Sequence, residues 1–150
     1  MKGVAAAVAG FVFVALPPAC LAAGAELYAT HCVACHQAEG EGTPGIAPAL
    51  AGTFGTRVAD AAGRDFLAQT LISGMSGAIV VQGQRYNGNM PSFAALSDAE
   101  LASIANYVLS AFNASSVELP AELFAATRRR AMAPNEVRKL RERVLAQTGE

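Results

Sequence analysis

Cys32, Cys35 and His36 are the residues of this 150-residue chain whose types and spacing most clearly suggest chemistry. They lie in the segment HCVACHQAEG, residues 31–40, where two residues separate the cysteines and the histidine directly follows the second. Three kinds of site use such a pattern: a dithiol redox pair, half of a zinc site, or the attachment point of a covalently bound haem. The remainder of the sequence has to distinguish between these three.

The zinc and dithiol interpretations find little support elsewhere in the chain. A structural zinc ion needs four nitrogen or sulfur ligands. The only further candidates are His31, fixed beside the motif, and Cys20, in a segment predicted to be removed. A redox dithiol is expected between a strand and a helix. Here a helix is predicted before the motif, and a Gly- and Pro-rich loop is predicted over residues 37–55.

Haem attachment fits the motif on chemical grounds. Two thiols at this spacing can form thioethers with the two vinyl groups of one porphyrin, and the adjacent histidine then lies against the iron. The second iron ligand is expected to be a methionine, because His31 cannot reach the opposite face of the haem. The candidates are Met75, Met90 and Met132. We favour Met90, which Pro91 stiffens on one side, although any of these methionines could instead fill space in the core.

The N-terminus has the order of regions expected of a secretory signal peptide. Lys2 is followed by an apolar run at residues 4–16, then by two prolines and several small residues. This run is shorter than the roughly 20 residues that span a bilayer. We therefore predict a signal peptide at residues 1–23, with cleavage between 22 and 25 and export to the periplasm; an uncleaved membrane anchor is the alternative. Export supports the haem interpretation, because covalent haem attachment takes place outside the cytoplasm.

Helical patterns dominate the mature chain. Ser97 and Glu100 form an S-x-x-E capping box, and apolar residues then recur at spacings of three and four, which predicts a buried helix face. These residues are Leu101, Ile104, Ala105, Val108 and Phe112. A second helix is predicted over residues 64–73, ended by Gly74. Residues 74–93 are predicted to be loop, with a short β-like patch at 79–81.

Four segments occur in the order found in class I c-type cytochromes: ELYATHCVACH, GIAPALAG, NMPSF and LSDAELASIANYVLS. Residues 24–112 resemble that family. The resemblance implies an all-α, cytochrome c-like domain, which we place at residues 24–114, around one covalently bound haem c. It also implies that Gly24 and Tyr28 on the first helix cross the last helix of the domain. The facing residues would be Ile104, Ala105 and Tyr107.

The resemblance assigns roles to the residues of the motif and to two residues beyond it. Cys32 and Cys35 would carry the thioether bonds, and His36 and Met90 would be the two iron ligands. The carbonyl of Pro48 would accept a hydrogen bond from the histidine ring and so fix its orientation. An ordinary turn proline is the plainer interpretation of Pro48.

Further contacts with the haem follow from the same resemblance. Leu50 would be an apolar residue against the ring. Tyr86, with Arg85 or Arg57, would hydrogen-bond a haem propionate. The plainer alternatives are a core leucine and polar residues at the surface.

A haem iron bound by histidine and methionine has no open position, which favours single-electron transfer over reaction with oxygen or peroxide. The resemblance therefore implies an electron carrier rather than an enzyme, with a dehydrogenase, reductase or oxidase as its redox partner. Two alternatives stay open: a haem enzyme or gas sensor in which Met90 is labile, and a structural subunit that acts through its C-terminal tail. A nucleic-acid partner is not expected, because residues 26–116 contain seven acidic residues, three arginines and no lysine.

The C-terminal extension, residues 115–150, lies outside the resemblance. From residue 117 onward it has six arginines and one lysine against five glutamates. Its pattern predicts two helices separated at Pro134, the second with an apolar stripe at Val137, Leu140 and Val144. The basic residues could hold an acidic partner, make a peripheral contact with anionic membrane lipid, or fold back on the acidic body. A solvated helix face is the plainest interpretation.

Overall fold

The computed structural model describes residues 18–148. The predicted signal peptide at residues 1–23 therefore lies largely outside the described residues. The described elements are, in chain order, α1 (Pro18–His31), α2 (Val33–His36), a 3-10 turn (Arg57–Ala59), α3 (Ala61–Ser73), β1 (Met75–Val81), β2 (Gln84–Met90), α4 (Asp98–Asn113), α5 (Ala121–Arg128) and α6 (Pro134–Thr148). No helix within residues 18–148 is long and apolar enough to cross a membrane. The mainly helical fold is as expected.

α1 crosses α4 at the two residues of α1 that the family resemblance indicated. A Cβ atom at Gly24 would lie 2.3 Å from the carbonyl oxygen of Ser103 and 2.9 Å from Cβ of Tyr107, so only glycine permits this close approach. Tyr28 is buried, and its ring centroid lies 5.5 Å from that of Tyr107 and 5.2 Å from that of Phe112. Aromatic packing therefore extends the contact between α1 and α4 by one turn of α1.

The capping box predicted at the start of α4 is confirmed. Ser97 Oγ accepts a hydrogen bond from the backbone N–H of Glu100 (3.3 Å), and the Glu100 carboxylate accepts one from the backbone N–H of Ser97 (2.7 Å). α3 begins a few residues before its predicted start, because Asp60 caps it by accepting a hydrogen bond from the backbone N–H of Gly63 (2.8 Å). α3 ends before Gly74, as predicted.

β1 and β2 form a hairpin, and the sequence-based expectation of a loop in this region is wrong. The strands pair antiparallel, from Met75 opposite Met90 to the two residues that flank the turn. Gln82 and Gly83 connect them with φ values of 50° and 77°, as in the two-residue turns that suit the twist of a hairpin. The sequence does not indicate this hairpin, because its strands are rich in glycine and asparagine. Only residues 79–81 have the β-branched and apolar character that is typical of a strand.

α5 and α6 pack against the remainder of the described chain. They contact α3, α4, β1 and the 3-10 turn. The apolar stripe predicted for the last helix is buried together with two side chains that precede it. The buried side chains of this segment include Leu119, Phe124, Val137, Leu140 and Val144. The C-terminal segment therefore shares one hydrophobic core with the helices before it. Of the possibilities for its basic residues, this arrangement corresponds to the segment folding back on residues 24–114.

Two arginines of this segment bind acidic residues of the preceding domain, residues 24–114. Arg128 donates hydrogen bonds to the Asp98 carboxylate (3.0 Å) and to two backbone carbonyls just before α4. Arg130 pairs with Asp65 on α3 at 2.7 Å. Along α6 the ion pairs are local and connect Arg138 with Glu142 and Lys139 with Glu136. Arg128 and Arg130 thus bind other elements of the fold, whereas Arg138 and Lys139 form their ion pairs within α6.

Candidate haem site

A cavity of about 420 Å³ lies between the loop that follows α2, the helix α3 and the β-hairpin. Its wall is mainly apolar. The apolar side chains that line it include Ile46, Leu50, Phe54, Phe66, Met75, Ile79, Val81, Met90 and Phe93. Cys32, Cys35 and His36 line the same cavity. The sequence motif therefore opens into an apolar space of a size that proteins use for cofactors.

His36 is buried, and one hydrogen bond orients its ring. Nδ1 lies 2.9 Å from the carbonyl oxygen of Pro48, and because a carbonyl can only accept, Nδ1 donates. The lone pair on Nε2 is therefore left for a metal. Burial lowers the pKa of His36, and this effect exceeds the opposite effect of the hydrogen bond to Pro48. Burial thus favours the neutral imidazole, which is the form that binds metals.

Side-chain hydrogen bonds fasten the loop that carries Pro48 to the motif. Thr43 Oγ1 donates to the carbonyl of Cys35 (3.0 Å) and accepts from Gln37 Nε2 (2.8 Å). The Tyr28 hydroxyl donates to the carbonyl of Gln37 (2.7 Å), which ties the loop to α1. We call this side of the cavity, residues 32–50, the histidine wall.

Gly42 allows the loop to pass close to the backbone of His36. Its φ is 75°, and its N–H donates to the carbonyl of His36 (3.0 Å). A Cβ atom at this position would lie 2.6 Å from the carbonyl carbon of Pro48 and 2.6 Å from the nitrogen of Ala49. Both the conformation and the available space therefore require glycine.

The two cysteines of the motif differ in environment. Cys32 is buried, Cys35 is exposed, and both are free thiols. Burial, reinforced by the nearby Cys35, raises the pKa of the Cys32 thiol to about 11. A catalytic dithiol needs the opposite shift, toward a reactive thiolate at neutral pH. The environment of Cys32 therefore argues against a redox pair, whereas two thiols on the wall of an apolar cavity fit the attachment of a porphyrin.

The hairpin presents two methionines to the cavity. Met75 and Met90 lie opposite each other in the strand register, so their side chains share one face of the hairpin. Both are partly buried and line the cavity. Met132 lies outside the cavity wall, and its backbone N–H donates to Gln69 Oε1 (3.2 Å). The structure thus reduces the three methionine candidates to two. We call this side of the cavity, residues 75–90, the hairpin wall.

The backbone of Met90 is held against the end of α3. A Cβ atom at Gly74, whose φ is 72°, would lie 2.4 Å from the carbonyl oxygen of Met90 and 2.9 Å from the carbonyl carbon of Pro91. Ser92 Oγ donates to the carbonyl of Ile72 (2.5 Å). The segment that leaves the hairpin therefore packs tightly on α3, and Gly74 makes this possible.

Arg57, Tyr86 and Arg141 are buried residues that line the cavity. Leu50, which the resemblance places against the haem, lines the cavity. Arg85, which was considered beside Arg57 as a propionate contact, is exposed and lies outside the wall. Neighbouring residues in a strand point to opposite faces, so the inward position of Tyr86 places Arg85 outward.

Sequence reasoning did not single out Arg141. This residue lies four positions after Val137 and three before Val144, so it shares the inner face of α6 with them. The periodicity that predicted the apolar stripe was therefore sufficient to place Arg141 inside. Its basic neighbours Arg138, Lys139 and Arg143 conceal it, because together they form a charged cluster typical of a surface.

The family model described as cytochrome c matches residues 21–112. The chain belongs to the cytochrome c family. Two relatives, both cytochrome c-552 of Thermus thermophilus and the second from a designated strain of that species, are each 44% identical to it over 89 residues. Those residues are 59% of this chain and 67% and 60%, respectively, of the two relatives. The resemblance to class I c-type cytochromes and the helical fold class are thereby confirmed, and the family match ends at residue 112, before α5.

The family implies a covalently bound haem c, and the residues of the cavity fit that group. The histidine wall supplies two thiols and a neutral imidazole, and the hairpin wall supplies thioether sulfurs. The apolar wall suits the porphyrin ring. Buried guanidinium groups suit its carboxylates, since arginine forms paired hydrogen bonds with them.

Proposed function

We propose that this protein is an exported, periplasmic carrier of single electrons that binds one haem c, either as a soluble protein or as the cytochrome subunit of an oxidoreductase. Cys32 and Cys35 would form the two thioether bonds, and His36 and Met90 would hold the iron. The observation that carries the proposal is the hydrogen bond from His36 Nδ1 to the Pro48 carbonyl (2.9 Å). It supports the proposal because it leaves the lone pair of Nε2 available to a metal, in a cavity that Cys32, Cys35 and two methionines also line.

A c-type haem, when bound, supplies a centre that accepts and releases one electron. The residues around the cavity would limit the site to this transfer of single electrons. If His36 and Met90 both held the iron, no position would stay open for oxygen or peroxide. The apolar wall keeps water away and, with the thioether ligand, favours the reduced state.

Expression of the full chain in a host that exports it and attaches haem tests the proposal. We expect the protein mass to increase by one haem. We also expect the near-infrared absorption band of methionine bound to ferric iron, and, after reduction, a visible spectrum that carbon monoxide leaves unchanged. A methionine displaced by carbon monoxide would favour a labile-ligand enzyme or gas sensor, and a chain that acquires no covalent haem would refute the proposal.

Variants of the two cavity methionines test the ligand assignment. Met90→Ala should abolish the near-infrared band, whereas Met75→Leu, the matched control on the facing strand, should keep it. If Met75→Leu loses the band and Met90→Ala retains it, Met75 is the ligand and the assignment to Met90 fails.

We infer that the redox partner, a dehydrogenase, reductase or oxidase, docks near the mouth of the cavity. Ile46 lines the cavity and is 63% exposed, which provides an apolar contact there. The lack of lysine between residues 26 and 116 argues against docking through a ring of lysines. Binding of anionic lipid is less favoured as a role for the tail, because Arg128 and Arg130 are engaged within the protein.

Purification of the native complex tests the inference about the partner. We expect a redox enzyme to co-purify and to change the oxidation state of this protein during turnover. A haem that never changes oxidation state while the complex turns over would instead support a structural subunit.

A further inference from the structure

Arg128 is the last residue of α5, which lies beyond the part of the chain that matches the cytochrome c family. Its side chain is 33% exposed, and each of its three nitrogen atoms has an acceptor. Nη1 donates to the carbonyl of Ala94 (2.6 Å), Nη2 to the carbonyl of Leu96 (2.8 Å) and Nε to the Asp98 carboxylate (3.0 Å). One side chain therefore holds the chain at three points between residues 94 and 98.

The two carbonyls belong to the segment 91–97, which connects Met90, the last residue of β2, with the start of α4. We call this segment the methionine loop. Its first part is fixed to α3, because the backbone N–H of Phe93 donates to the carbonyl of Leu71 (2.9 Å). Phe93 also lines the cavity. Arg128 holds the part of the loop that follows Phe93, so the C-terminal segment completes the attachment that α3 begins.

The guanidinium group suits this role. Its N–H groups are fixed in one plane, so a single arginine can hold several acceptors in a set arrangement. Hydrogen bonds from a charged donor are also stronger than hydrogen bonds between neutral groups. Arg128 therefore ties the methionine loop to α5 more firmly than a neutral side chain could.

The contacts of Arg128 bear on the position of Met90. Movement of Met90 away from the cavity requires the methionine loop to move, because the loop directly follows Met90 in the chain. The carbonyls of the loop would then leave Arg128. A contact that is present in only one of two states shifts the equilibrium toward that state. The bonds of Arg128 therefore favour the state in which Met90 faces the cavity.

We propose that Arg128 is a positioning residue for Met90: it holds the methionine loop in place, so that the thioether resists displacement from the iron by another ligand. The C-terminal segment then helps to keep the metal closed and does not only stabilise the helices. This inference rests on the proposed function, because it presupposes that haem iron lies in the cavity and that Met90 binds it.

The test is an imidazole titration of the full, haem-loaded and oxidised chain, followed by the loss of the near-infrared methionine band. Wild type is compared with Arg128→Gln and with Arg130→Gln. Arg130 is the matched control, because it pairs with Asp65 at 2.7 Å. Its replacement also removes one charge and one ion pair between the C-terminal segment and the preceding domain. The partner of Arg130, however, lies on α3 and not in the methionine loop.

We expect Arg128→Gln to lower the dissociation constant of imidazole about tenfold, the equivalent of about one hydrogen bond to a charged group, since partial exposure reduces the contribution of the three bonds. Arg130→Gln should change it less than about twofold, as is usual for an exposed ion pair. An unchanged dissociation constant in Arg128→Gln, or equal changes in the two variants, would overturn the proposal in favour of a general packing role.

A second measurement needs no variant. In the oxidised wild type, the Nη protons of Arg128 should exchange slowly with water in NMR experiments, because each of these nitrogens donates to a carbonyl. Saturation with imidazole should speed this exchange, since the methionine loop then leaves Arg128, whereas exchange at the Arg130 guanidinium should stay the same. Unchanged exchange at Arg128 would overturn the proposal, because the contact would not distinguish the two states.

The two levels of the argument fail in different ways. A wild-type protein without the near-infrared methionine band would refute the proposed assignment of Met90 to the iron. A wild type that has the band, with Arg128→Gln equal to Arg130→Gln, would refute only the role of Arg128.

Discussion

The histidine wall and the hairpin wall line the same cavity, but different parts of the chain hold them in place. In the histidine wall the hydrogen bonds are local: His36 and Pro48 are 12 residues apart, and Cys35 and Thr43 are 8 apart. In the hairpin wall, Val80 accepts its hydrogen bond from Arg141, which is 61 residues further along the chain. One side of the site is thus built by its own loop, and the other depends on helices that come much later in the sequence.

This difference indicates that the two sides should respond differently to the same kind of damage. Local changes in the loop should disturb the histidine, whereas loss of distant helices should disturb the methionines. The experiments below either separate the two walls or show that they respond together.

Truncation after Ser116 should have the largest effect. It removes α5 and α6, and with them several buried apolar side chains that each contribute about 1.5–3 kcal/mol. The loss is on the order of the whole unfolding free energy of a domain, about 5–15 kcal/mol. We expect the truncated chain to lose cooperative unfolding in a urea titration followed by circular dichroism. If the free energy of unfolding of the truncated chain lies within about 1 kcal/mol of that of the full chain, the hairpin wall does not need α6 for its stability.

Gly74→Ala should be the most damaging single change in the hairpin wall. The new Cβ would meet the carbonyl of Met90 at 2.4 Å, so we expect a loss of about 3 kcal/mol and a weaker near-infrared methionine band. Gly83→Ala is the matched control: its φ of 77° is similar, but nothing lies within 4 Å of the added atom. It should cost only about 1 kcal/mol. Equal losses would mean that backbone strain, and not contact with Met90, decides the outcome.

Gly42→Ala is the corresponding change in the histidine wall. The added atom would lie 2.6 Å from the backbone of Pro48, and we expect a loss of about 2–3 kcal/mol in the free energy of unfolding. Gly45→Ala, with a φ of 76° and open space around it, should cost about 1 kcal/mol. Thermal and urea unfolding of both variants measure the difference. If Gly42→Ala is as mild as its control, the loop is less tightly fixed than its hydrogen bonds indicate.

Thr43→Val should have the smallest effect. It removes the hydrogen bonds to Cys35 and Gln37, and we expect a loss of about 1–2 kcal/mol. Thr30→Val removes only an exposed bond to the Glu26 carbonyl in α1 and should cost about 0.5 kcal/mol or less. Urea titrations of the two variants measure the two losses in the free energy of unfolding. A larger loss for Thr30→Val would contradict the proposal that Thr43 holds the loop in place.

The sequence predicted the parts of the molecule whose signals are local. The capping box at Ser97 and the glycine that ends α3 act through neighbouring backbone groups, and the structure contains both. The pairing of His36 with Pro48 was implied by motif order, and the structure places the two groups in contact. These features need few distant contacts, so a short stretch of residues contains the information.

The sequence did not predict the parts that depend on distant residues. The hairpin depends on the turn at Gln82 and Gly83 and on packing against α6, and its strands have little β-forming character of their own. Arg85 was considered beside Arg57 because it adjoins Tyr86 in sequence, yet strand geometry places adjacent side chains on opposite faces. Arg141 reaches the cavity only because α6 folds back, which the family pattern does not cover.

The position of Lys139 on α6, where it pairs with Glu136, has a practical consequence for mapping the surface through which a proposed redox partner would bind. Lys139 is the one lysine within residues 18–148. An amine-directed cross-linker or dye will therefore mark α6 and leave the side chains of the family-matched body unlabelled. Contacts made by that body have to be captured through its carboxylates, for example by carbodiimide coupling to lysines of the partner. Parallel use of the two reagents would show whether α6 lies at the docking surface, because within residues 18–148 only α6 reacts through an amine side chain, whereas carboxylates of both parts react with the carbodiimide.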